Sequence, residues 1–229
     1  MKPSNIFELP EMHDRSQVFN NRAHAGEMLA DMLSALNAQR AIVFAIPAGG
    51  VPVAVPIAAR LDTPLDVAVV SKITLPWNTE AGYGAVAFDG TVRINEELVR
   101  RQKLTPEDIR QGIEKTQRKV QHRVKIFRGE RPFPSLKKRA VILVDDGLAS
   151  GFTLLTAVEA LRNAGADKLL VAVPTAHENS LERVAPMVEG LYCANVRGGW
   201  SFAVADAYKS WSDVDEKEAR RLLAGHAEG

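Results

Sequence analysis

Val141-Ile142-Leu143-Val144-Asp145-Asp146-Gly147-Leu148-Ala149-Ser150-Gly151-Phe152-Thr153 is the stretch on which the reading of this chain turns. Four branched apolar residues run into two adjacent acids, then into a short loop of small residues, then into a helix-like stretch from Leu154 to Asn163. An apolar run without polar alternation marks a parallel strand covered on both faces. Small residues between such a strand and a helix let backbone N–H groups converge at the helix N-terminus, a ready anion site. Two carboxylates beside an anion cradle suit a ligand that carries hydroxyls and a phosphate, which is a sugar phosphate. The plainer alternative is that Asp145-Asp146 only caps the helix, but capping uses one acid and leaves the rest of the string without a reason.

Working outward, Asn21 to Ala38 has the spacing of an amphipathic helix, with Ala25, Met28, Leu29, Met32, Leu33 and Leu36 on one stripe. Ala41 to Ile46 reads as a second buried strand, ended by Pro47 and the pair Gly49-Gly50, and Val51 to Arg60 as a short helix with Pro56 placed awkwardly in it. Leu65 to Val70 is a further strand that leads into a loop, Ser71 to Gly84. Ala85 to Phe88 and Thr91 to Ile94, joined by Asp89-Gly90, predict a hairpin. Thr105-Pro106-Glu107-Asp108 is a strong helix start, and that helix continues to about Phe127. Strand Leu169 to Val173, a helix around Ser180 to Val188, strand Leu191 to Val196 and a last helix near Asp213 to Leu223 complete the chain.

Strands that alternate with helices predict an α/β fold: a doubly wound, mostly parallel sheet with right-handed crossovers, carrying a small hairpin flap and a hood from the chain ends. Residues 1–229 are expected to form one domain, with 71–94 a flexible loop and hairpin inside it and 197–229 a tail able to serve as hood. In such sheets ligands sit beyond the carboxyl ends of the strands. Asp145-Asp146 and Pro47-Ala48-Gly49-Gly50 both fall at such ends, so two separate segments point into one crevice.

Composition sets bounds around this. A 229-residue chain with 46% hydrophobic and 25% charged residues is an ordinary globular composition, and a net charge of +1 gives no overall attraction to nucleic acid or anionic membrane. The lone cysteine, Cys193, has no internal disulfide partner, fits a reducing cytoplasm, and reads as a small core residue. Met1 to Asp14 lacks the pattern of a secretory signal, and no window is apolar enough for a membrane span. The basic stretch from Arg110 to Arg139 is interrupted by Glu114 and Glu130, so nucleic-acid binding is disfavoured. A Gly-x-Gly-x-x-Gly turn and a Gly-x-Ser-x-Gly elbow are both missing, which excludes the dinucleotide and triad readings.

The thirteen-residue string Val141 to Thr153 resembles the phosphoribosyl-pyrophosphate (PRPP) signature of type I phosphoribosyltransferases. Pro47 to Ala54, Asp14-Arg15 with Ala25-Gly26, Val69 to Ile73, Gly84 to Ala87, and Phe202-Ala203-Val204 with Tyr208 resemble a branch of that family whose members lack an assigned acceptor. The resemblance implies transfer of a phosphoribosyl group from PRPP, with Mg2+, to a nitrogenous acceptor, releasing pyrophosphate. It implies that Asp145 and Asp146 accept hydrogen bonds from the ribose hydroxyls and approach the metal through water. Gly147, Leu148, Ala149, Ser150, Gly151, Phe152 and Thr153 then wrap the 5′-phosphate, and Ala48, Gly49 and Gly50 contact the pyrophosphate. Lys72 stands where these enzymes often carry a basic residue beside the leaving group; a plain surface lysine is the alternative. The family usually reads Pro-Arg-Gly-Gly in the second loop, so Ala48 removes a charged contact.

Ala149 stands where 6-oxopurine transferases place an aspartate, which leaves adenine, orotate, uracil or a non-nucleobase amine as acceptors. Trp200 and Phe202, with Tyr208 and Trp211, offer either a stacking face for a planar base or a small aromatic core that holds the tail. A homo-oligomer, as a dimer, is expected. The rival reading is a PRPP- or nucleotide-sensing regulator that keeps the binding loop without turnover.

Overall fold

The computed structural model describes residues 3–36 and 40–227, apart from the side chains of Glu80 and Ala227. In chain order the elements are β1 (Ile6–Glu8), α1 (Arg22–Leu33), β2 (Ala41–Ala45), α2 (Val51–Leu61), β3 (Leu65–Val67), β4 (Val70–Leu75), β5 (Asn78–Ala87) and β6 (Val92–Ile94). There follow α3 (Glu96–Gln102), α4 (Pro106–Arg128), β7 (Ala140–Val144), α5 (Phe152–Asn163), β8 (Lys168–His177), α6 (Glu178–Val184), β9 (Gly190–Arg197) and α7 (Glu216–Ala227).

Six strands form one sheet in the order β1-β9-β8-β7-β2-β3, and every pairing in it is parallel. The unbroken apolar runs now have their cause. Along β7, Ile142 and Val144 enter the core shared with α1 and α2, while Val141 and Leu143 enter the core shared with α5 and α6. β2 divides the same way, Val43 and Ala45 to one side and Ile42 and Phe44 to the other. Period-two alternation is present, but both of its phases are buried. Cys193 is fully buried on β9, as expected of a small core residue.

From β2 the chain crosses to β3 at one edge, and from β7 it crosses to β8 and β9 toward the other. The gap between β2 and β7 is therefore the topological switch point, where open α/β sheets hold their ligands.

Several expectations need correcting. Ser71 to Gly84 is not a loop: β4 and β5 pair antiparallel from Val70↔Ala87 to Leu75↔Asn78, and β6 completes a three-stranded sheet. The reason is close backbone approach. A Cβ on Gly84 would strike the carbonyl oxygen of Arg93 on β6, so a residue that looks like a breaker is what lets the strands pair. Leu65 to Val70 is likewise divided, β3 joining the large sheet and Val70 opening the small one. The helix expected from Asn21 starts at Arg22 with Asn21 as its cap and ends at Leu33; its expected end, Ala38, lies outside the described residues. The hairpin at Asp89-Gly90 forms as read, with Gly90 at φ 92°. So does α4, whose Thr105 and Asp108 make a reciprocal capping box.

Two short elements escaped the sequence reading. β1 is a three-residue strand parallel to β9, anchored by the Asn5 side-chain amide, which donates to the carbonyls of Ala185 and Val188 at 2.8 and 2.9 Å. α3 is the other piece the apolar pattern did not show. Among the described residues no helix is long and apolar enough to cross a membrane.

Candidate active site

The loop after β7 is stitched to its neighbour. Leu148 N donates to Thr175 O at 2.9 Å and His177 N donates to Leu148 O at 3.2 Å, so β8 guides the chain past the two acids. The Ser180 hydroxyl then donates to the Ala149 carbonyl, and the Arg183 guanidinium donates to the Ser150 carbonyl at 2.6 Å. A planar trans peptide sends its N–H opposite its C=O. With both carbonyls drawn toward α6, the N–H groups of Ser150 and Gly151 are directed away from it. Gly151 takes φ 82°, a left-handed conformation natural to glycine, and starts α5 as its N-cap. A cavity of about 140 Å³ lies here, lined by Asp145, Gly147, Ala149, Ser150, Gly151 and Thr153, among others. Val204 closes its side, so tightly that a Cβ on Gly147 would overlap its methyl groups.

The two acids are placed differently. Asp145 lines the cavity, and its Oδ1 accepts from the Asp146 backbone N–H at 2.9 Å. Burial raises its pKa well above the ordinary carboxylate value, the Asp146 charge adds to this, and Arg22 opposes it. Asp146 instead meets Arg22, whose Nε donates to its Oδ2 at 2.9 Å. Burial still raises the Asp146 pKa, against the lowering influence of Arg22. Arg22 is itself buried, donates to the Ser212 carbonyl at 2.7 Å, and lies 3.7 Å over the Trp211 ring. The Tyr208 hydroxyl donates to the Asp146 carbonyl at 2.6 Å, and burial drives the phenol pKa far upward.

The second loop packs directly on the first. Ile46 N donates to Val144 O at 2.8 Å, which extends the β2–β7 pairing to the crevice. A Cβ on Gly49 would collide with the Asp146 carboxylate, and one on Gly50 would come within 2.7 Å of Ile46 O and 2.8 Å of Val144 O. The glycine pair is therefore required by loop-on-loop contact. The Pro47–Ala48 peptide is cis. Arg123 of α4 reaches into this corner: its guanidinium donates to the Pro47 carbonyl at 3.0 Å, to Val70 O at 3.2 Å, to Ser71 Oγ at 3.3 Å and to Glu216 at 2.8 Å. A residue from the supposed basic surface thus supports the segment expected to meet pyrophosphate. Arg110 pairs with Glu107 and Glu114, and Arg128 is buried, so that stretch makes no continuous cationic face.

Lys72 is exposed on β4 next to Ser71, whose hydroxyl takes the Arg123 bond. Trp77, at the β4–β5 turn, is also exposed. The four tail aromatics separate. Trp200 is fully exposed, Phe202 meets His177 edge-on with Arg197 over its ring, and Tyr208 with Trp211 encloses Arg22. Neither a shared stacking wall nor a shared aromatic core is formed by all four. The segments expected to form the hood meet each other: Gln17 N donates to Asp206 O, Phe19 N to Ala207 O and Lys209 N to Phe19 O at 2.7, 3.0 and 2.8 Å.

Sequence reasoning missed Arg22 and Arg123. A signal for the first was present: an arginine in the first turn of a helix opposes the macrodipole, which asks for a tertiary partner.

A switch-point crevice, a small cavity at a helix N-terminus and a glycine loop packed on it make up the candidate site of this α/β fold. Residues 14–207 match the family described as the phosphoribosyl transferase domain, and the chain belongs to that family. It is 33% identical over 207 residues to a Mycobacterium tuberculosis H37Rv protein provisionally named a phosphoribosyl transferase, Rv0571c, and equally to its counterpart in strain CDC 1551. The match covers 90% of this chain and 46% of those proteins, so the chain spans about half the length of the curated relatives it matches. The crystal structure of TT1426 from Thermus thermophilus is similar at 30% identity and TM-score 0.73, over 90% of this chain and 98% of that one.

Proposed function

We propose that the protein transfers the 5-phosphoribosyl group of PRPP to a nitrogenous acceptor, a nucleobase or related amine, and releases pyrophosphate. The observation that carries this reading is the cavity after β7, with Asp145 on one side and the start of α5 on the other. A phosphate in it would meet the amides of Ser150 and Gly151 and the hydroxyls of Ser150 and Thr153, a preorganised set that needs no rearrangement.

Asp145 takes the ribose hydroxyls in this scheme. Asp146, tied to Arg22, holds the position of the loop and of the Gly49-Gly50 segment against it. Backbone groups of Ala48, Gly49 and Gly50 receive the pyrophosphate, and Lys72 on the hairpin neutralises charge as it departs. Arg123, bound to the Pro47 carbonyl, braces the loop where the family's usual arginine is replaced by Ala48. Among the described residues no three His, Cys, Asp or Glu side chains cluster to hold a metal. The Asp145-Asp146 pair fits a Mg2+ ion that arrives with the polyphosphate, held mainly by substrate oxygens and water. Bound there, it would offset charge on the pyrophosphate. Of the acceptor candidates Trp200 and Phe202, Phe202 is the better held, through His177 and Arg197. A homodimer in a reducing cytoplasm, where Cys193 stays a thiol, belongs to the same reading.

Calorimetric titration with Mg-PRPP and pyrophosphate release against adenine, orotate, uracil and simple amines test it. Tight binding with release for one acceptor is expected. Binding without release for any acceptor would favour a regulator that senses PRPP, which the missing arginine at position 48 also suits. No binding at all removes both.

A further inference from the structure

A cavity much larger than the one at this crevice lies elsewhere in the molecule. It measures about 880 Å³ and lies between the C-terminal halves of α2 and α7, lined by Val55, Ala58, Ala59, Pro64, Leu222 and His226, among others. A second cavity, of about 370 Å³, shares Asp62, Thr63 and Pro64 with it and continues to Arg40, Lys137, Lys138 and Arg139. The second lies at the amino ends of β2 and β7 and the first beside Pro64, just before β3, so both are at the end of the sheet opposite the candidate active site.

The second cavity gathers four cationic side chains, opposed by the single carboxylate of Asp62. Three other surface arginines show the contrasting, matched state: Arg110 with Glu107 and Glu114, Arg60 with Asp31, Arg162 with Glu189. Among the described residues no ion pair engages Arg40, Lys137, Lys138 or Arg139. An independent observation sits at the boundary of the two cavities. Thr63 is buried, 6% exposed, and its Oγ1 has no hydrogen-bond partner among the described residues, although it lines both spaces. A buried hydroxyl left unsatisfied is costly, and this one sits at the wall between the two spaces. The first cavity supplies what the second lacks, an apolar wall from Val55, Ala58, Pro64 and Leu222.

We infer that these adjoining cavities form a second ligand site, for a small phosphoanion with an apolar or planar body, of nucleotide size. The phosphates lie among Lys137, Lys138, Arg139 and Arg40, the body lies between α2 and α7, and Thr63 marks the junction. The site has a mechanical route to the crevice. α2 begins at Val51, directly after the Gly49-Gly50 segment, and ends at Leu61, beside the cavity. α7 begins at Glu216, which holds Arg123, and Arg123 holds the Pro47 carbonyl. A ligand that changes the spacing of α2 and α7 therefore acts on the second loop of the crevice.

The test is equilibrium binding of inorganic tripolyphosphate and of ATP without added metal, by calorimetry on the full chain. Ser150→Asp places a carboxylate in the phosphate cradle and blocks the crevice, so what still binds reports the second site. On that background both probes are expected to bind, ATP at least tenfold more tightly. Adding Lys137→Glu and Lys138→Glu, on exposed positions, should weaken both probes at least tenfold. Adding Ala59→Trp, at an exposed position of the larger cavity, should reduce ATP to the tripolyphosphate level. Loss of all binding in Ser150→Asp alone, or affinities unchanged by the lysine substitutions, overturns the proposal. ATP no tighter than tripolyphosphate overturns the assignment of the apolar body. None of these outcomes depends on whether the crevice binds PRPP.

Discussion

The two ends of the central sheet are built on opposite principles. At the carboxyl end the cavity is small, about 140 Å³, and its surroundings are tied by hydrogen bonds from Ser180, Arg183 and Arg22 and by one from Leu148 N to the Thr175 carbonyl. At the amino end the space is several times larger, and its cations make no ion pair among the described residues. Cavity size alone would point to the end opposite the proposed crevice. A cradle that must hold one phosphate in one orientation benefits from backbone groups already fixed in place, whereas long cationic side chains supply attraction without fixed geometry.

The largest expected effect comes from cutting a tie at the carboxyl end. Arg22→Ala leaves Asp146 buried with no cation and empties the slot beside Trp211, and should cost about 3–5 kcal/mol in chemical denaturation. Lys137→Ala at the amino end should fall within about 0.5 kcal/mol. Equal losses from the two would erase the contrast. Arg123→Met keeps the length of the side chain but drops its bonds to Pro47, Val70, Ser71 and Glu216; a loss of about 2–3 kcal/mol is expected. Calorimetry should also show weaker PRPP binding, and a variant that loses stability with PRPP affinity intact would separate Arg123 from the loop.

A smaller effect, of opposite sign for stability, is expected at Asp145. Its pKa in the folded protein is raised, chiefly by burial and then by Asp146, so the native state keeps a proton that the unfolded chain has already released. Stability from this group is therefore present at low pH and lost as pH rises from the ordinary carboxylate value through the raised one. Asp145→Asn should remove that decline and stabilise the protein by about 1 kcal/mol at pH 7, while PRPP binding weakens about tenfold or more. Parallel pH–stability curves for the variant and the parent would show that burial of Asp145 is not costly. The smallest effect is Trp200→Ala, where full exposure predicts a change under about 0.5 kcal/mol in thermal unfolding. A larger loss would show that the ring is covered in solution, as in an oligomer.

What could be read beforehand followed from local chemistry. The β7 string, the β2 strand and the α4 capping box each express their structure within a dozen residues, and their positions in a parallel sheet led to one crevice. Elements that depend on distant contacts stayed hidden. The β4–β5 hairpin contains Gly82 and Gly84, which look like breakers until β4 is beside the first and β6 beside the second. β1 is too short for any period and exists through Asn5 and β9. The different surroundings of Asp145 and Asp146 depend on Arg22, 124 positions from Asp146 in sequence. Trp200, Phe202, Tyr208 and Trp211 cluster in sequence and separate in space, because Arg22 recruits only the last two.

Gly49 and the Asp146 carboxylate occupy adjoining space with no room for a methyl group between them. Those two positions are consequently a single unit of inheritance. Alanine at 49 should be harmful on this background and tolerated once residue 146 is shortened, a strongly epistatic pair. Variation at either site in related chains is intelligible only when both are compared together.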